Sequence, residues 1–236
     1  MTEPSRRVEL AGRLAEVRQR IVSSAFEAGR SPAGVTLVVV TKTWPSSDVR
    51  LLHELGVHDF GENRHPEAER KAADVADLEL TWHFIGQVQS NKAARIAGYA
   101  DVVQSVDSPR VVQRLNAGAN ASRRLVDCMV QVNLDRTGAA TGRGGVRPDE
   151  VEDVAREIVA ADRLRLVGVM GVGPPGQDAT AAYLQLADVR GRVARMAPEA
   201  GAMSAGMSAD FCEAIAAGAT HVRVGSAVLG ERPPLR

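Results

Sequence analysis

Eight short apolar runs, each followed by a helix-forming stretch, divide the 236 residues of this chain. The runs fall near 35–42, 57–61, 81–86, 102–106, 126–134, 164–171, 201–205 and 221–225. Between them stand helix-start signals: Pro45-Ser46-Ser47-Asp48, Pro66-Glu67, Ser90-Asn91, Ser108-Pro109, Pro148-Asp149-Glu150, Asp178 and Ser208-Ala209-Asp210. Strand then helix, repeated, implies a parallel sheet covered on both faces. Pattern alone leaves an open doubly wound sheet as the competitor, but eight units in this length are the expectation for a (β/α)8 TIM barrel, and the count favours it. Ahead of the first run, Leu10, Leu14, Val17, Ile21 and Ala25 recur at helical spacing and Gly29 with Pro32 ends the pattern, so an additional N-terminal helix is predicted. The whole chain, 1–236, is expected to be a single domain.

Composition narrows the partners. Lys plus Arg and Asp plus Glu both count 29, so no basic excess points to nucleic acid or to a membrane surface. Aromatic residues are only 3%, which leaves the core to Val, Leu, Ile and Ala and disfavours a base-stacking platform. No stretch reaches transmembrane length, and Met1 to Arg20 is charged without an apolar leader segment; a cytoplasmic protein is expected. Cys128 and Cys212 lie in apolar contexts without CxxC spacing, so buried thiols are expected, with neither a disulfide framework nor a zinc site.

Lys42 closes the first apolar run, Val35-Thr36-Leu37-Val38-Val39-Val40-Thr41-Lys42, and in barrels the ends of such strands are where chemistry is done. Desolvation there would lower the amine's pKa toward nucleophilic use; a lysine reaching solvent is the plain alternative. Near the C-terminus, Ala205-Gly206-Met207-Ser208 leads to a helix with Ser208 as its natural N-cap, and His221-Val222-Arg223-Val224-Gly225-Ser226 leads to a short turn. As strands 7 and 8 of a barrel, these would bring amides and hydroxyls together as a phosphate site, against ordinary capping and an ordinary glycine turn. Arg223 interrupts a central strand, and a buried guanidinium needs acceptors. These are either an Asp or Glu inside the barrel or a ligand atom such as an aromatic ring nitrogen. Around the mouth, Asn63 either contacts a ligand or ends a turn, His83 suits a satisfied core histidine, and Lys92 is a second amine at a helix start.

The segments Val40-Thr41-Lys42-Thr43, Phe60-Gly61-Glu62-Asn63, Trp82-His83-Phe84-Ile85-Gly86 through Gln89-Ser90-Asn91-Lys92, Gly206-Met207-Ser208 and Val222-Arg223-Val224-Gly225-Ser226 together resemble the pyridoxal phosphate homeostasis protein family. Its members are similar to the barrel domain of alanine racemase without the second domain. The resemblance implies pyridoxal 5′-phosphate as cofactor, Lys42 as the lysine that forms the Schiff base, Arg223 as partner of the pyridine nitrogen, Ser208, Gly225 and Ser226 as phosphate contacts, and Asn63 and Met207 beside the cofactor.

It also implies a cytoplasmic, often monomeric, non-catalytic carrier or buffer of the cofactor that maintains vitamin B6 and amino-acid balance, with apo-forms of pyridoxal phosphate enzymes as candidate recipients. A permanently protonated arginine at the ring nitrogen makes the ring a poor electron sink, which fits a quiet site. The chain's end at Arg236 is expected to leave no second domain over the cofactor. The alternatives are a lysine-dependent racemase and a cofactor-free Schiff-base aldolase. Three departures from the family pattern stand out: Thr41 where Ser is more usual, a Gly- and Arg-rich stretch from Asp135 to Gly145 expected to be a mobile loop, and Gly171-Val172-Gly173-Pro174 at a strand end. The tail after Gly230 is expected to fray.

Overall fold

A computed structural model describes residues 3–135, 144–174 and 176–231. Eight strands close a parallel barrel in chain order: β1 (Thr36–Val40), β2 (Asp59–Glu62), β3 (Thr81–Phe84), β4 (Val102–Val106), β5 (Val126–Val132), β6 (Leu164–Gly171), β7 (Ala202–Ser204) and β8 (His221–Val224). Pairing of β1 with β8, Val38 opposite Arg223, closes the ring. The helices are α1 (Glu3–Glu27), α2 (Ser46–Glu54), α3 (His65–Asp74), α4 (Ala93–Ile96), α5 (Pro109–Ser122), α6 (Val151–Val159), α7 (Ala179–Met196), α8 (Phe211–Ala216) and α9 (Ser226–Leu229). This is the (β/α)8 barrel with the additional N-terminal helix. The expected mobile loop falls mostly on 136–143 and the expected frayed tail, apart from Glu231, on 232–236, outside the described residues.

The α1 stripe and the Asp178 cap act as the sequence predicts. Leu10, Leu14, Val17, Ile21 and Ala25 of α1 are all buried, and the helix ends where Gly29 takes a positive φ of 66°. Asp178 caps α7 by accepting the Thr180 N–H at 2.9 Å. The first strand departs from expectation: it ends at Val40, before Lys42, because Trp44 N–H returns to the Thr41 carbonyl at 3.0 Å and Thr43 sits at φ 70°. Lys42 therefore stands in a tight turn beyond the strand.

Alternation along each strand separates two cores. Outward residues such as Val39, Phe60, Trp82, Val103, Met203, Val222 and Val224 pack under the helices. Inward residues divide the barrel interior between an apolar cluster of Val102, Met129 and Met170 and a buried polar set that includes His83, Gln104, Ser204 and Arg223.

Candidate functional site

Lys42, Met207, Ser208, Arg223, Gly225 and Ser226 line one cavity of about 350 Å³, together with Val40, Trp44, Ile85, Ala209, Gly230 and Glu231. That size is within the usual range for a small-ligand pocket. The cavity opens beyond the C-terminal ends of β1, β7 and β8, the face where barrel loops converge. Six of the seven residues that the resemblance implies around the cofactor thus meet in one place.

The seventh, Asn63, is half-buried and does not line the cavity. Its Oδ1 is buried without a hydrogen-bond partner among the described residues. Its backbone carbonyl packs against Gly86, where an added Cβ would lie 2.1 Å from the oxygen. Lys92 takes the N-cap position of α4 and does not line the cavity. His83 is the satisfied core histidine expected, 2% exposed and hydrogen-bonded through both ring nitrogens.

Ser208 does not cap α8, contrary to expectation. The chain turns sharply at Gly206, φ 87°, where a Cβ would sit 2.7 Å from the Phe211 Cα, so residues 207–210 form a separate turn ahead of the helix. Asp210 holds that turn by accepting the Met207 N–H at 2.6 Å and the Tyr183 hydroxyl at 2.7 Å. Ser208 Oγ instead accepts the Ala227 N–H at 3.3 Å, which ties the loop after β7 to the first turn of α9. A hydroxyl that accepts there still carries a hydrogen it can donate.

Arg223 is 4% exposed, and among the described residues its hydrogen bonds go to two neutral acceptors, Ser204 Oγ at 2.5 Å and the Gly171 carbonyl at 2.8 Å. The carboxylate ion pair considered from the sequence is not formed. Burial lowers its pKa to about 10, while the Tyr183 and Asp210 side chains favour the charge. A guanidinium carries five N–H donors, so a buried one with two neutral acceptors retains capacity for a ligand acceptor.

The base of the Lys42 turn is held through Lys71, a residue the sequence did not single out. Lys71, on α3 and 4% exposed, donates to the Thr41 carbonyl at 2.8 Å, to Glu62 Oε1 at 2.5 Å and to Glu67 Oε1 at 3.2 Å. Thr41 Oγ1 donates to the same Glu62 oxygen at 2.7 Å, and the Thr43 N–H donates to Glu67 Oε1. Burial pushes the Glu62 carboxyl above its usual range, with Lys71 and Thr41 pulling the other way. The one sequence signal was the Glu67–Lys71 spacing, which also describes a solvated helix face.

Arg6 of α1 braces the same rim. It pairs with Asp48 of α2 at 2.7 Å, donates to the Leu229 carbonyl at 3.1 Å and lies 4.6 Å from the Trp44 ring centroid. Among the described residues no group of three or more His, Cys, Asp or Glu could hold a metal ion, and no helix is long and apolar enough to cross a membrane.

A family model described as alanine racemase, N-terminal domain, matches residues 26–233. A pyridoxal phosphate homeostasis protein of Pseudomonas aeruginosa is 39% identical over 94% of this chain and 96% of its own. One of Mycobacterium tuberculosis is 37% identical over 97% of this chain and 95% of its own. Among solved structures, PipY of Synechococcus elongatus with PLP bound is 31% identical, covers 94% of this chain and 100% of its own, and superposes with a TM-score of 0.80.

Proposed function

Since the chain belongs to the alanine racemase N-terminal domain family and, within it, to the pyridoxal phosphate homeostasis proteins, we propose that it binds pyridoxal 5′-phosphate in this cavity and serves to carry or buffer the cofactor. One observation carries the proposal: an amine, a buried guanidinium and a hydroxyl-and-amide rim line a single pocket of about 350 Å³. The donor set fits the ligand. Bound there, the cofactor would supply an aldehyde that condenses with an amine, a phosphate and an aromatic ring nitrogen. Lys42 would provide the amine, Ser208, Gly225 and Ser226 the phosphate donors, and Arg223 the partner of the ring nitrogen. Met207, 41% exposed at the rim, would lie beside it, with Asn63 further off.

Arg223 favours holding over catalysis, because it gives the ring nitrogen no proton and so leaves the ring a weak electron sink. On this reading the barrel is a single cofactor-binding domain, working as a cytoplasmic monomer that exchanges cofactor with apo-enzymes. Two free cysteines, Cys128 buried, agree with a reducing compartment.

The test is direct. Purified protein should be yellow and trap the cofactor covalently on borohydride reduction, and Lys42→Ala should lose both. Racemisation or α-proton exchange of amino acids at enzyme-like rates, abolished in Lys42→Ala, would overturn the carrier assignment. Colourless protein that takes up no pyridoxal phosphate would overturn the binding itself.

A further inference from the structure

Behind Arg223 a file of buried hydrogen bonds crosses the barrel interior. Arg223 Nη1 donates to Ser204 Oγ at 2.5 Å, Ser204 Oγ to Gln104 Oε1 at 2.7 Å, Gln104 Nε2 meets His83 Nδ1 at 2.9 Å, and His83 Nε2 meets Asp59 Oδ1 at 3.0 Å. Five strands contribute one residue each: β8, β7, β4, β3 and β2. Gln104 and Ser204 are fully buried and His83 is 2% exposed, while the Asp59 side chain is 29% exposed.

The direction of every bond follows from its ends. A guanidinium only donates, so Ser204 accepts from it and must send its own hydrogen on to Gln104 Oε1. That fixes the Gln104 amide with its NH₂ toward His83, which makes Nδ1 an acceptor and leaves the ring hydrogen on Nε2, pointing at Asp59. With the amide reversed, Ser204 would face two donors, and His83 would present Nδ1–H to the amide and need a second proton to satisfy Asp59. The observed order is satisfied with a neutral histidine.

We propose that Asp59, His83, Gln104 and Ser204 are positioning residues for Arg223: a one-way chain that fixes the guanidinium and links it to a carboxylate at the opposite end of the barrel. The arrangement holds a cation at the cofactor pocket while its hydrogen bonds among the described residues go to neutral groups; a carboxylate bonded there would compete with the ligand for the N–H groups. Apolar residues would fill the same space with fewer demands, as Val102, Met129 and Met170 do on the other side of the interior. His221, whose ring centroid lies 6.1 Å from that of His83, flanks the file and bonds sideways to Thr220 Oγ1 at 2.8 Å.

The proposal rests on the cofactor assignment for its consequence, but its geometry is testable without cofactor. Nitrogen-15 NMR of the ligand-free protein should show His83 neutral with hydrogen on Nε2. A doubly protonated ring, or hydrogen on Nδ1, overturns the proposal whatever the protein binds. In the pyridoxal phosphate-loaded protein, Gln104→Met should release the cofactor about tenfold more readily and displace its visible band, the loss of one charge-linked hydrogen-bond file. Asp59→Asn, at the half-exposed end, keeps the acceptor and removes only the charge. It should keep the Nε2–H form of His83 and the fold but still displace the band. If both variants fold and leave retention and band unchanged, the chain is only a satisfied core and the proposal fails. If wild type takes up no cofactor while His83 is as described, the failure lies with the binding assignment and with this role for the chain, not with the hydrogen-bond order.

Discussion

Lys71 reaches from α3 to donate a 2.8 Å hydrogen bond to the backbone carbonyl of Thr41, the residue immediately before Lys42. The proposed reactive amine is thus set by a second, buried lysine that does not itself line the pocket. The same ammonium binds Glu62, whose side chain is only 2% exposed. Backbone position, strand end and helix packing meet in one cluster, so disturbing it should change both stability and the chemistry of Lys42.

Replacing Lys71 by Met should leave the Glu62 carboxylate buried without its cation and cost about 3–5 kcal/mol. Pairing that change with Glu62→Leu should recover much of the loss, because a well-packed apolar pair avoids the desolvation of two ions. Urea denaturation of the single and double variants measures this. Both variants should also react more slowly with pyridoxal phosphate at Lys42, since neither restores the hydrogen bond to the Thr41 carbonyl.

Thr43 carries a different load. A β-branched residue at φ 70° is strained, typically by 1 kcal/mol or more. Thr43→Gly should relieve that strain, raising stability by up to about 1 kcal/mol after the entropy of the added glycine, while loosening the turn that presents Lys42. A melting temperature that rises together with faster cofactor release is the expected pair of outcomes. A stabilised variant with slower release would contradict it.

Arg6→Ala removes the partner of a buried carboxylate, the donor to the last turn of α9 and the cation beneath Trp44. The expected cost is about 3 kcal/mol. Because α2 and α9 both start at the pocket rim, cofactor retention should fall as well. An exposed pair between the same two helices, Arg7 of α1 with Glu54 of α2 at 3.3 Å, serves as the control: Arg7→Ala should change stability by under about 1 kcal/mol.

The strands and the α1 stripe were legible in apolar periodicity, barrel closure in the count of eight units, and the meeting of Lys42 with Arg223 in the family resemblance together with the convergence of strand ends in a barrel. The supports of those residues were not. Lys71 reads as a solvated helix lysine until β2 places Glu62 beneath it, and Gln104 and Ser204 sit 100 residues apart. Ser208 shows the same limit in reverse: its spacing before an acidic helix start fits a cap, yet the turn at Gly206 gives its hydroxyl to α9 instead. Periodicity reports which face is buried; it does not report which polar groups satisfy one another across the barrel.

Acid should destabilise the ligand-free protein through its histidines. Burial lowers the His221 pKa to about 4, with Arg223 adding to the shift and Asp59 opposing it, and burial lowers that of His65 as well. An unfolded histidine titrates near 6.5, so between about pH 6.5 and 4 the unfolded chain binds more protons than the folded one and stability falls with pH. For His221 alone the loss at about pH 5 is on the order of 2 kcal/mol relative to neutral pH. Glu62, raised by burial, works in the opposite sense: its folded form holds a proton more tightly, so it offsets part of the loss at the acid end. Urea midpoints of wild type and His221→Gln, measured at about pH 7.5 and pH 5, separate the contributions. The variant should lose less stability than wild type over that interval. Equal losses would mean that His221 is accommodated as a cation beside Arg223, which the low-dielectric barrel interior opposes.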